Sequence, residues 1–116
     1  MSWTADQIAR RDAVLRGETV VASLRKGQDE ALRAWAQERG LLVRADRSGP
    51  WGNPFVIGRD GDRLTVIRLF REHSLPALLP RLPELAGKVL ACWCYPLPCH
   101  CSVLIEALER SRKAAA

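Results

Sequence analysis

Thr19–Ala45 reads TVVASLRKGQDEALRAWAQERGLLVRA. Its first six residues, Thr19-Val20-Val21-Ala22-Ser23-Leu24, are short, β-branched and nearly all apolar, the composition of a strand covered on both faces. Asp29 to Arg39 then places Leu32, Trp35 and Ala36 on one helical face and ends at Gly40, a C-cap signal. Leu41-Leu42-Val43-Arg44-Ala45 supplies a second strand. A connection that contains a helix favours a parallel pair with a right-handed crossover, so the stretch predicts a βα unit of an α/β domain.

The flanks extend this pattern. Trp3-Thr4-Ala5-Asp6-Gln7-Ile8 predicts a helix start, with Thr4 as N-cap, Gln7 closing a capping box and Trp3 stapled to Ile8; the helix should run to about Arg16 and stop at Gly17. Ser48 to Asp62 is a long Gly- and Pro-rich loop with a short extended piece expected at Phe55-Val56-Ile57. Asp62 should cap a helix from Arg63 to about His73, with Leu64, Ile67 and Phe70 inward. Pro76, Pro80 and Pro83 allow only short helical turns and bends between Leu75 and Gly87. Lys88-Val89-Leu90-Ala91-Cys92-Trp93 is the third strand, and Ser102 to about Arg112 a final helix with Val103, Leu104, Ala107 and Leu108 inward. The order α-β-α-β-loop-α-α-β-α predicts a small three-layer α/β domain with a mostly parallel three-stranded sheet, residues 1–116 forming a single domain. Strand order is not readable.

The net charge of +5 is uneven, residues 1–40 carrying seven Lys/Arg against six Asp/Glu and residues 41–116 eleven against seven. Only Lys26, Lys88 and Lys113 are lysine; arginine is the better bidentate partner for phosphate, which points to an anionic ligand, a nucleotide or a nucleic acid, unless the arginines simply keep the surface soluble. No signal-like segment and no apolar run near the roughly 20 residues of a membrane span is present, so a soluble, cytoplasmic protein with reduced thiols and no membrane partner is expected.

All four cysteines fall within Cys92-Trp93-Cys94-Tyr95-Pro96-Leu97-Pro98-Cys99-His100-Cys101. Leu90, Cys92 and Cys94 share one strand face, Cys92 deeper and Cys94 nearer the mouth. Pro98 precedes the last helix, so Cys99 or His100 falls at its N-terminus, where free N–H groups and the dipole stabilise a thiolate or an anion; Cys99 is the expected low-pKa thiol. Cys94, Cys99 and His100, with Cys92 or Cys101 as a fourth ligand or water in an open position, form a candidate metal set, Cys92 being the preferred backing residue and zinc coming before an iron–sulfur cluster. Cys92 can equally be a small core residue, and Cys101 still more readily. The Cys-x-x-Cys of zinc deaminases and thioredoxin-like pairs is missing.

Ligands of open parallel sheets bind beyond the carboxyl ends of the strands. The Ser48–Asp62 loop leaves one such end and Cys94–Cys101 another, so both should meet in one site. In Arg47-Ser48-Gly49-Pro50-Trp51-Gly52-Asn53-Pro54-Phe55, Pro54 fixes Asn53 in an extended pose that presents its amide to a ligand or packs it in a turn. Arg63 in a first helical turn opposes the dipole, which an anion or Asp60 would relieve. Arg47, Asn53, Asp62 and Arg63 are therefore the candidate ligand-binding residues.

Through Trp51-Gly52-Asn53-Pro54-Phe55, Asp60-Gly61-Asp62-Arg63, Leu85-Ala86-Gly87-Lys88, Cys92-Trp93-Cys94, Cys99-His100 and Leu104, the chain resembles a family catalogued as domain of unknown function 4326, found in bacteria and their phages. The resemblance runs from about Arg44 to Leu108, within a family-like core of about 41–110; residues 1–40, a helix-strand-helix segment, look like one carried by some phage-associated members. Cys101 lies outside the shared pattern, which marks it as incidental. The resemblance implies a site and no settled reaction.

Three functions fit the residues: a metal or reactive-thiol site beside an anionic, nucleotide-like pocket; a nucleotide- or nucleoside-processing enzyme with Cys99 as nucleophile and His100 as acid/base; or a non-enzymatic nucleic-acid-associated phage or bacterial accessory module. The aromatic-interleaved basic patches of single-strand binders are absent, which counts against the third function.

Overall fold

The computed structural model describes residues 2–115. Its strands are β1 (Val20–Ser23), β2 (Leu42–Arg44) and β3 (Val89–Cys92), in the order β1-β3-β2 and all parallel. Val20 pairs with Val89 and Ser23 with Cys92 on one side of β3, and Leu42 pairs with Val89 on the other. The central strand is the last one in the chain, and all four of its residues are buried.

Helices cover both faces. On one, α1 (Ala5–Leu15) and α2 (Glu30–Glu38) close a small core of Val14, Ala22, Leu32, Ala36 and Val89. On the other, Leu90 and Cys92 pack with Phe70, Leu82, Leu85, Val103, Leu104 and Leu108 from the segments flanking β3. Val89 and Leu90 facing different cores is the period-two alternation of a strand between two layers. The expected three-layer α/β architecture is thus present.

Local signals set most boundaries. Thr4 caps α1, its hydroxyl accepting from the Gln7 N–H at 3.1 Å, and Gly17 follows at φ 93°. Asp62 likewise caps α3 (Arg63–Leu69) by accepting from Thr65 N–H. One wide π-type turn at Phe70–Ser74, then α4 (Leu75–Leu78) and a 3-10 stretch to Leu85, carry the proline-rich segment. Helix α5 spans His100–Ala115, starting two residues earlier than expected.

Four local expectations are corrected. Gln7 does not close a capping box: it is buried, and its side-chain oxygen accepts from Leu32 N–H at 2.9 Å, capping α2 from another helix because the side chain of Asp29 is turned elsewhere. Trp3 leaves Ile8 exposed and packs edge-on against Trp35, ring centroids 6.4 Å apart, where the apolar contact is larger. Leu64 points outward at 70% exposure, since the buried row of its helix runs from Val66 to Phe70, one i,i+4 step. The expected extended piece at residues 55–57 reduces to a single bridge between Ile57 and Gly61.

Candidate metal centre and its cavity

The loops beyond β2 and β3 meet, as topology requires. Between them lies a cavity of about 230 Å³ whose wall includes Arg47, Asn53, Arg63, Trp93, Cys94 and His100, with Cys92 and Cys99 at its inner side. Asp46 ties the two loops together, accepting from Arg44, from the Ser48 backbone and, at 3.1 Å, from the Trp93 indole N–H. Those donors, Arg44 foremost, hold its carboxyl well below the usual carboxylate range.

Behind this cavity the sulfurs converge. The Sγ atoms of Cys92, Cys99 and Cys101 all lie within 4.8 Å of one another, and Cys92 and Cys99 are 3.5 Å apart. Cys92 reaches the cluster from the end of β3, Cys99 from the residue before α5, and Cys101 from its first turn. Because Cα–Cβ bonds tilt toward a helix N-terminus, Cys101 aims back at the strand end. It is fully buried and belongs to the cluster, which corrects its reading as incidental. Cys94 is half-buried, lies against both Cys92 and Cys99, and borders the cavity.

Hydrogen bonds from Cys101 above all, then from Cys94 and Cys99, lower the Cys92 thiol, whereas contact with Cys101 and burial raise Cys99. Cys99 stands immediately before α5, as expected, and its sulfur accepts from the Cys101 N–H at 3.4 Å, but its contacts with Cys101 and Cys92 and its burial push its pKa up rather than down, against the expected low-pKa thiol. His100 is buried, and its Nε2–H donates to the Ala45 carbonyl at 2.7 Å while its ring packs against Phe70 with centroids 5.0 Å apart. Burial pushes its pKa down, so the imidazole is neutral and clamps the β2 loop to α5. It stands outside the three-sulfur group.

The predicted ligand-binding residues divide. Asn53 is buried and spends its amide on the protein, Nδ2–H donating to the Val66 carbonyl at 3.0 Å and Oδ1 accepting from Phe55 N–H. Asn53→Ala leaves both partners unpaired and should cost about 2 kcal/mol, measured by chemical denaturation. Asp62 caps α3 outside the cavity wall. Arg47 donates to the carbonyls of Asn53 and Phe55, and Arg63 to that of Pro98, so a loop carbonyl relieves the first-turn cation; both arginines nevertheless line the cavity.

The buried pair of Arg10 and Asp29 escaped sequence reasoning, although Asp29 was read as the start of a helix. Asp29 takes a left-handed conformation, φ 53°, and forks onto Arg10 at 2.6 and 3.0 Å while accepting from Ser23 N–H. Arg10 also donates to the Val21 carbonyl and lies 4.5 Å from the centre of the Tyr95 ring, so α1 supports the cysteine loop from below. Among the described residues no helix is long and apolar enough to cross a membrane.

A family model described as a domain of unknown function (DUF4326) matches residues 24–110. No curated protein and no solved structure matches.

Proposed function

We propose that this chain, which belongs to the family of domains of unknown function 4326, carries a metal–thiolate centre in the wall of a pocket for an anionic, nucleotide-like ligand. The observation that carries the reading is the convergence of three buried sulfurs, from a strand end, a helix start and that helix's first turn. Zn–S bonds of about 2.3 Å in a tetrahedron place sulfurs about 3.8 Å apart, and the spacing here needs only small adjustment to reach that. Cys94, outside the three-sulfur group but on the cavity wall, would turn in as the fourth ligand. Soft thiolate donors favour zinc, with an iron–sulfur cluster as the lesser fit because it demands a larger cage. Arg47 and Arg63, which line the same cavity, supply the attraction for an anion.

Metal analysis of protein purified without a polyhistidine tag, beside Cys92→Ser/Cys99→Ser, tests the centre. About one equivalent of zinc is expected in the parent and none in the variant. A parent protein that takes up no zinc or iron under reducing conditions overturns it. Cobalt substitution reads the ligand count: Cys94→Ser should remove about a quarter of the thiolate-to-cobalt absorption of a four-sulfur site.

A further inference from the structure

Two concavities share one tryptophan. Trp93, the first residue after β3, is 52% exposed and stands in the wall of both the loop cavity and a shallow basin lined by Leu24, Lys26, Glu30, Arg33, Ala34 and Gln37. The strand order explains this. With β3 central, its loop emerges between the β1 loop, which builds the basin, and the β2 loop, which builds the cavity.

Trp93 is held at its ring and at its backbone. Its indole N–H donates to Asp46 in the β2 loop, and the Trp93 carbonyl accepts from Arg25 Nε in the β1 loop at 2.8 Å. A tethered, half-exposed ring offers a flat apolar face at little entropic loss. Basic groups flank it on each side, Arg47 and Arg63 at the cavity and Lys26 and Arg33 at the basin. The acidic groups facing the strip are both engaged, Asp46 by Arg44 and Glu30 by the Gly27 N–H. Aromatic and basic residues dispersed along the sequence are thus interleaved in space.

We infer that Trp93 is the stacking platform for a nucleobase that carries phosphate on both flanks, one phosphate toward Arg47 and Arg63 and the other toward Lys26 and Arg33. This deepens the anionic-ligand half of the reading above and rests on it. An internal nucleotide of a single strand and a free nucleoside 3′,5′-bisphosphate both offer that chemistry.

Two titrations at low salt separate the sources: a fluorescein-labelled oligothymidylate of about eight nucleotides followed by anisotropy, and a nucleoside 3′,5′-bisphosphate followed by calorimetry. At least one should bind. Trp93→Leu should weaken that binding about tenfold, the loss of one stacked base, while Trp93→Phe keeps most of it. For the oligonucleotide, Lys26→Ala/Arg33→Ala should also flatten the salt dependence. No binding of either probe, or equal binding by Trp93→Leu, overturns the inference. Thermal midpoints confirm that the variants fold, and zinc content, measured in parallel, reports separately on the metal centre because Trp93 contributes no sulfur to it.

Discussion

Asp29→Asn lowers the stability of the protein by about 3 kcal/mol, the cost of leaving one member of a buried ion pair without its counter-charge. Arg10 and Asp29 have side chains only 10% and 12% exposed, and Arg10 Nε already lacks a partner, so water cannot take over the lost interaction. Asparagine tolerates the left-handed backbone and can still accept from Ser23 N–H, so the variant removes charge and little else. Asp6→Asn is the control: Asp6 also touches Arg10, but its side chain is 64% exposed, and its removal should cost at most about 0.5 kcal/mol. Urea denaturation checks both.

The same pair sets an acid limb. Burial raises the Asp29 carboxyl, but the Arg10 fork and the Ser23 N–H overcome it and hold the pKa below its ordinary 3.8. The unfolded chain therefore takes up a proton before the folded one does. The stability from this group is complete above about pH 4–5 and is lost as pH falls through the depressed folded value. In Asp29→Asn the thermal midpoint should fall less steeply below pH 4 than in the parent.

Gly52→Ala costs about 3 kcal/mol for a different reason. A Cβ at Gly52 would sit 2.3 Å from the Asp46 carbonyl oxygen and 2.7 Å from the Arg47 Cα, both backbone atoms that cannot rotate aside. The turn must open, which shifts Asn53 from its two hydrogen bonds and Arg47 from the Asn53 carbonyl. Gly49→Ala, whose nearest neighbour would be 4.0 Å away, should stay within about 0.5 kcal/mol of the parent. Equal denaturation midpoints for the two variants would refute the steric account.

Which features were legible in the sequence follows from where their causes lie. The caps at Thr4 and Asp62, the stops at Gly17 and Gly40 and the apolar run of β3 are local, and their residues stand at the expected places. The meeting of the two loops followed from topology. Strand order did not, because parallel strands joined by helices leave no pairing mark in the chain. Side-chain direction was also hidden: Asn53 was recognised as fixed in the loop, but nothing local told an amide turned toward Val66 from one offered to a ligand. Cys101 was dismissed because it departs from the resemblance, yet its place in the first turn of α5 could have signalled a side chain tilted back to the strand end. Arg10 and Asp29, 19 residues apart, carried no signal beyond being charged.

The placement of β3 between two strands made earlier governs how the protein comes off the ribosome. When residue 88 has been synthesised, β1 and β2 exist as sequence but have no neighbour, since each pairs only with β3. No part of the sheet can form until Val89–Cys92 has emerged, and every strand pairing joins segments more than 40 residues apart. The cysteine-bearing loop follows within the next few residues. Docking of the last strand and gathering of the thiols are then one event, so a chain that stalls before it keeps its strand edges open and its two cores unmade.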